Sequence, residues 1–187
     1  APRYKMIQAP VPLDLLCKTW HMTDRLGTAY HATDLLTDML GGSASSRLHQ
    51  QLVKEQKLFV HIDCYHFGSS DPGLVTIEGK LVEGVSMEKA EQALQEQLNA
   101  FKSQPPSEQE LEKVKNKTES AIAFEDMSVM SRASSLAYYE LLGDAAWMNQ
   151  ELGKYAAVTT AEVATVANEL FRSENENTLY YYANPPA

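Results

Sequence analysis

A Gly-Gly pair set between two apolar helical stripes constrains this chain more than any other stretch. It reads Leu35-Leu36-Thr37-Asp38-Met39-Leu40-Gly41-Gly42-Ser43-Ala44-Ser45-Ser46-Arg47-Leu48. Leu35, Leu36, Met39 and Leu40 recur at i, i+1, i+4 and i+5, the face of a helix turned to a core. Gly41 stands where a left-handed C-terminal cap is expected, a conformation that glycine takes without steric cost. Ser45 or Ser46 is placed to cap a second helix, from Arg47 to about Glu55, by accepting from its free N–H groups. The turn has a phosphate-loop look. It lacks a Gly-Lys-Ser/Thr ending and follows a helix rather than a strand, so a tight helix-to-helix turn is expected and no nucleotide site.

The remaining elements follow in order. Residues 1–12, with Pro2, Pro10 and Pro12, are expected to form an extended lead-in. Leu13–Met22 alternates as a strand with apolar residues on both faces. A helix from about Thr28 to Leu40 enters the Gly-Gly turn. After the second helix, Leu58–Phe67 and Leu74–Val82 read as strands joined by the turn residues 68–73, an arrangement that suggests an antiparallel pair. Ser86 caps a helix from Met87 to about Ser103, with Met87, Ala90, Leu94, Leu98 and Phe101 as its stripe. Pro105-Pro106 stops it, and Ser107 with Glu110 forms a capping box for a helix to about Phe124, with Leu111, Val114, Thr118, Ala121 and Ile122 inward. Further helices are expected over about Met127–Leu142, ended by Gly143, over Ala145–Tyr155, and over Thr160–Phe171 behind a Thr159 cap. A strand closes the series at Leu179–Ala183. This order predicts an α+β fold: one domain over residues 1–187, an antiparallel sheet with helices packed on it.

Composition narrows the function. Sixteen Lys and Arg stand against 25 Asp and Glu, a formal net charge of −9, and no basic cluster is present to track phosphates, so nucleic acid is not an expected partner. Lys113, Lys115 and Lys117 alternate with acidic residues and read as a solvated helix face. No apolar run is long enough for a membrane span, and residues 1–5 lack a signal-peptide core. With Ala1 in place of an initiator Met, the chain is expected to be an excised piece or a mature product. Cys17 and Cys64, each in a strand segment, are expected to be buried free thiols.

Chemistry-bearing patterns are sparse. The five histidines (His21, His31, His49, His61 and His66) include no His-Glu-x-x-His or His-x-x-Glu-His. His61 and Asp63 share one face of their strand and His66 the other. No intrinsic metal site and no catalytic residue is expected in this chain. Gly-x-Ser-x-Gly is absent, the acidic helices look solvated, and Tyr180-Tyr181-Tyr182 reads as sheet rather than a stacking platform.

The succession of motifs nevertheless resembles a known family. Asp34-Leu35-Leu36-Thr37-Asp38-Met39-Leu40-Gly41-Gly42 followed by Ser45-Ser46-Arg47-Leu48 is similar to a signature in the C-terminal halves of the pitrilysin/insulinase zinc metallopeptidases, relatives of the mitochondrial processing peptidase. The similarity continues through Asp71-Pro72-Gly73-Leu74, Pro106 to Asn116, Arg132-Ala133, Tyr139 to Gly143 and Val158-Thr159 with Glu162-Val163, collinear over nearly all of residues 10–184. In that family two α+β halves close like a clamshell around an unfolded peptide. One half carries zinc on His-x-x-Glu-His; the other lacks the motif and forms the opposing wall.

The resemblance implies that this chain is the second kind. Its partners are then a zinc-bearing half, in the same polypeptide or a separate subunit, and a peptide substrate; zinc is expected in that partner half. A bacterial cell envelope or periplasm is the compartment the resemblance suggests. Active relatives carry an Arg and, seven residues on, a Tyr after the Ser-Ser-Arg-Leu helix. Counting from Ser45-Ser46-Arg47-Leu48, those positions fall on Val53 and Val60, which offer neither charge nor donor. A scaffold or assembly subunit without proteolysis, and a free-standing peptide-binding module that adds a strand to an exposed sheet edge, are the alternatives. The Gly41, Gly42, Ser45, Ser46 and Arg47 motif is expected to fix two helices on the sheet.

Overall fold

The computed structural model describes residues 3–183. Five strands, β1 (Arg3–Ala9), β2 (Leu15–His21), β3 (Phe59–Phe67), β4 (Leu74–Leu81) and β5 (Glu176–Ala183), form one sheet in the order β1-β5-β2-β4-β3. β3–β4, β2–β4 and β2–β5 pair antiparallel, as the α+β expectation requires. β1 lies parallel to β5, from Arg3↔Asn177 to Ala9↔Ala183. The expected lead-in is thus largely an edge strand. Its side chains are mostly exposed, so burial leaves no alternation to read in the sequence; Pro2 lies outside the described residues.

Among the described residues six α-helices accompany the sheet: α1 (Tyr30–Gly41), α2 (Met87–Ser103), α3 (Glu108–Asp126), α4 (Val129–Leu142), α5 (Glu151–Ala157) and α6 (Thr160–Leu170). The local start and stop signals operate as read. Ser86 accepts from the Lys89 N–H, and Ser107/Glu110 and Thr159/Glu162 both form complete capping boxes. Gly143 ends α4 at φ 142°, a conformation few side chains tolerate. The single helix expected over Ala145–Tyr155 divides instead into a 3-10 segment, Ala145–Gln150, and α5.

One face of the sheet supplies Leu16, Lys18 and Trp20 from β2, Val75, Ile77 and Leu81 from β4, and Ile62 and Cys64 from β3. The apolar stripes of α1, α2 and α6 close over it, with Trp20 edge-on to Phe171 at 4.9 Å between ring centroids. The stripe read for α2 is buried throughout. Lys18 is fully buried in this layer; its ammonium lies 2.8 Å from Glu91 and 2.5 Å from Glu176, so the charge is neutralised where water is excluded. The opposite face carries Leu15, Cys17, Leu179, Tyr181, Tyr65 and Phe67, half-buried or exposed, with no helix of the described residues packed on it. Both thiols are free; Cys64 is buried as expected, whereas Cys17, on the open face, is only half-buried.

α3 departs from the expected pattern. Leu111 and Val114 are buried, but Thr118 and Ile122 are only partly covered and Ala121 is exposed. α4 buries Tyr139 alone. The second half of α3 therefore leaves the core and forms with α4 a hairpin standing off the body.

Candidate functional site

The Gly-Gly turn is built differently from its sequence expectation. Gly41 still belongs to α1, and the cap is Gly42 at φ −73°, so neither glycine is left-handed. Gly41 is required by proximity instead. A Cβ there would lie 2.0 Å from the Cys64 amide nitrogen, so α1 rests directly on the backbone of β3. Neither Ser45 nor Ser46 caps the next helix through its side chain; the Ser46 hydroxyl is buried without a partner among the described residues. That helix forms where expected, but its main part, His49–Glu55, is π-helical.

Arg47 locks the turn to the rest of the helical layer. Its Nε and Nη2 donate to Glu110 Oε1 and Oε2, each at 2.9 Å, and Nη1 donates to the Gln104 carbonyl at 3.0 Å. The guanidinium lies over the Phe101 ring at 4.6 Å. This fork holds the Glu110 carboxyl at about 2, well below the usual range. Lys113 and Lys117, expected to be solvated, reach the same turn: Lys113 donates to Ser45 Oγ at 2.5 Å, and Lys117 to Asp38 Oδ1 at 2.8 Å and the Gly42 carbonyl at 3.2 Å. Lys115 donates to the carbonyls of Ala156 and Val158. The three alternate lysines are therefore tethers. Spacing along one helix cannot show this, because each acceptor lies on another element.

A groove of about 590 Å³ runs between this end of α1 and edge strand β3, lined by Asp34, Thr37, Asp38, His49, Asp63 and His66 among others. Its carboxylates are already held. Asp34 accepts from Tyr155 at 2.5 Å and pairs with His66 Nε2 at 2.9 Å; Asp63 pairs with His61 at 2.6 Å; Lys117 holds Asp38. Burial would raise the Asp34 carboxyl, but the bonds from His66 and Tyr155 keep it below its ordinary value. His66 faces α1, whereas His61 and Asp63 stand on the opposite side of β3, as the strand period requires, and line the groove from its edge-strand wall. Among the described residues no group of three or more His, Cys, Asp and Glu is disposed to hold a metal ion.

Beside the groove lies a second buried network. Arg25, from the loop after β2, donates to Glu151 and, at 2.9 Å, to the Tyr139 hydroxyl; His31 Nε2 lies 3.0 Å from Glu151 Oε1. Burial opposes the Glu151 charge, yet His31 and Arg25 hold its carboxyl at about 2. Tyr30 packs edge-on to both His31 and His66 and joins the two networks. The sequence offers no signal for this cluster, since its members are scattered over 126 positions. Val53 packs on the core from the π-helix. Val60 is exposed at a β-bulge, where Phe59 pairs with Leu81 and His61 with Lys80. The structure does not bring these two valines together in the groove.

The fold is shared by solved proteins. A protease from Helicobacter pylori superposes with TM-score 0.88 at 18% identity, over 96% of this chain and 43% of that one. An inactive peptidase domain from Bordetella parapertussis gives TM-score 0.86 at 21% identity, over 97% of this chain and 96% of that one. In sequence, YmxG of Bacillus subtilis, described as an uncharacterized zinc protease, is 28% identical over 141 residues, 75% of this chain. The chain spans about a third of that relative's length (34%). The profile of the peptidase M16 inactive domain matches residues 1–118. The chain belongs to the peptidase M16 inactive-domain family.

Proposed function

We propose that the chain is the non-catalytic half of a clamshell zinc metalloendopeptidase, forming the wall opposite the zinc-bearing half and helping to enclose an unfolded peptide. The observation that carries this reading is the one-sided sheet. Helices cover one face, and the other presents half-buried Leu15, Cys17, Leu179 and Tyr181 beside Tyr65 and Phe67, a broad surface of mixed polarity suited to an extended peptide of varied sequence. The groove fits a supporting role, because its acids are paired and none is free to act as a base. Zinc belongs in the partner half, which supplies the activated water.

The test mixes the chain with a zinc-bearing half and follows cleavage of an unfolded peptide. Cleavage that rises only when the chain is added is expected; a rate indifferent to the chain overturns the reading. Near-stoichiometric zinc in the chain purified alone also overturns it. A second reading, a scaffold subunit with no proteolytic role, draws on Val53 and Val60, which replace an Arg and a Tyr of active relatives. Peptide cleavage by the full-length protein removes it.

A further inference from the structure

Among the described residues the hairpin of α3 and α4 carries most of the strongly exposed apolar side chains. Phe124, Met127, Val129, Met130 and Leu141 are between 73% and 85% exposed. On α4, Met130, Ala133, Ala137 and Leu141 follow one another at steps of three and four, a continuous stripe of the kind that helices bury against another helix. This stripe faces away from the body, which α4 meets through buried Tyr139. Beneath the hairpin lies a cavity of about 340 Å³ lined by Thr118, Glu125, Asp126, Ser135 and Tyr139 among others, so the side of the hairpin turned to the body is largely polar and the apolar stripe is not the side that packs there.

Charge selects among occupants. Residues 119–144 carry five exposed carboxylates (Glu119, Glu125, Asp126, Glu140 and Asp144) against one exposed cation, Arg132. A second copy would set this acidic hairpin against its own like, which electrostatic complementarity opposes. An anionic membrane surface is disfavoured for the same reason. The fitting partner presents an apolar centre inside a Lys- and Arg-rich rim. The chain covers only 34% and 43% of the YmxG and Helicobacter pylori chains, which leaves more than half of each relative outside the match, long enough to supply this face.

We infer that the exposed face of the α3–α4 hairpin, centred on Met130 and Leu141, is the docking surface for the zinc-bearing half, whose complementary face is apolar with a basic border. This rests on the function proposed above and assigns the surface that joins the two halves. The interface is a hydrophobic core within an electrostatic ring, so its association weakens as salt rises.

The experiment measures binding between this chain and the zinc-bearing M16 half encoded with it, by titration calorimetry at low and moderate salt. Met130→Glu with Leu141→Glu is expected to weaken binding at least 30-fold. Met6→Glu, at an exposed apolar position on β1, is expected to leave it unchanged. Met130→Ser with Leu141→Ser, which adds no charge, is expected to weaken binding at least fivefold, and circular dichroism melts verify that each variant is folded. Undiminished binding by both hairpin double variants overturns the surface while leaving the proposed function standing. Failure of the wild-type chain to bind at all overturns both. A wild-type chain that sediments as a dimer, with the Glu variant monomeric, also overturns the inference by making a second copy the occupant.

Discussion

Replacing Gly41 by Ala tests how closely α1 sits on the sheet. The added methyl would lie 2.0 Å from the Cys64 nitrogen, 2.6 Å from its Cβ and 2.7 Å from its Cα. None of these atoms ends a flexible side chain, so the strain falls on the helix and strand backbones. Overpacking of this kind costs about 1–3 kcal/mol, and contact with backbone on a central part of β3 places it at about 3 kcal/mol. Alanine's better helix propensity returns at most about 1 kcal/mol. The net loss is then about 2 kcal/mol, or a fall in Tm of about 4–8 °C for a chain of this size. Gly153, inside α5, is the counterpart: a methyl added there would meet nothing within 4 Å, so Gly153→Ala is expected to stabilise by about 0.5–1 kcal/mol. Urea unfolding followed by far-ultraviolet circular dichroism measures both. A Gly41→Ala protein as stable as wild type would refute the close-approach argument, most decisively if Gly153→Ala shows its gain in the same series.

Glu151 is the pH-sensitive anchor of the Arg25 network: its carboxyl is held at about 2 against an ordinary 4.5, so its contribution is full above about 4.5 and is lost as pH falls toward 2. Glu151→Gln is expected to cost about 3 kcal/mol at pH 7 by leaving Arg25 buried without its charge partner, and to flatten stability between pH 5 and 3; an unchanged acid limb in urea titrations contradicts this. Arg47→Lys keeps the charge but loses the two-pronged grip on Glu110, and a loss of about 1 kcal/mol is expected, with the Glu110 carboxyl rising toward its ordinary value by NMR titration. Burial raises both thiols, and Cys64 is the more enclosed, so an aromatic disulfide reagent is expected to label Cys17 slowly in the native protein and Cys64 only in denaturant. Rapid native labelling of Cys64 would show that α1 lifts from β3.

What could be read in the sequence was local. The capping boxes at Ser107 and Thr159, the α2 stripe from Met87 to Phe101 and the Gly143 stop all depend on residues within a few positions of one another, and each stands in the structure. Gly41 was legible as a position where only glycine fits, but for the wrong cause, because the crowding atom belongs to β3. Lys113 and Lys117 are indistinguishable from solvated lysines until the Gly-Gly turn is folded against α3. The Arg25–His31–Glu151 cluster could not be assembled by any periodicity, since its members come from a loop and two helices. On β1 the outward side chains are polar or exposed, so the strand is defined by backbone pairing that residue types do not encode.

That parallel pairing governs the order in which the molecule can be completed. β5 sits between β1 and β2, yet Glu176–Ala183 follows every helix of the described residues, and its partners lie 156 to 174 positions earlier, as in Trp20↔Glu176 and Arg3↔Asn177. During synthesis, β2, β3 and β4 can meet as a three-stranded ribbon, while β2 keeps one unpaired edge and β1 has no neighbour. The last strand then inserts between them, closing two ladders in a single event. Such long-range closure makes assembly slow, and a nascent chain stopped before Glu176 presents an open β2 edge to other chains.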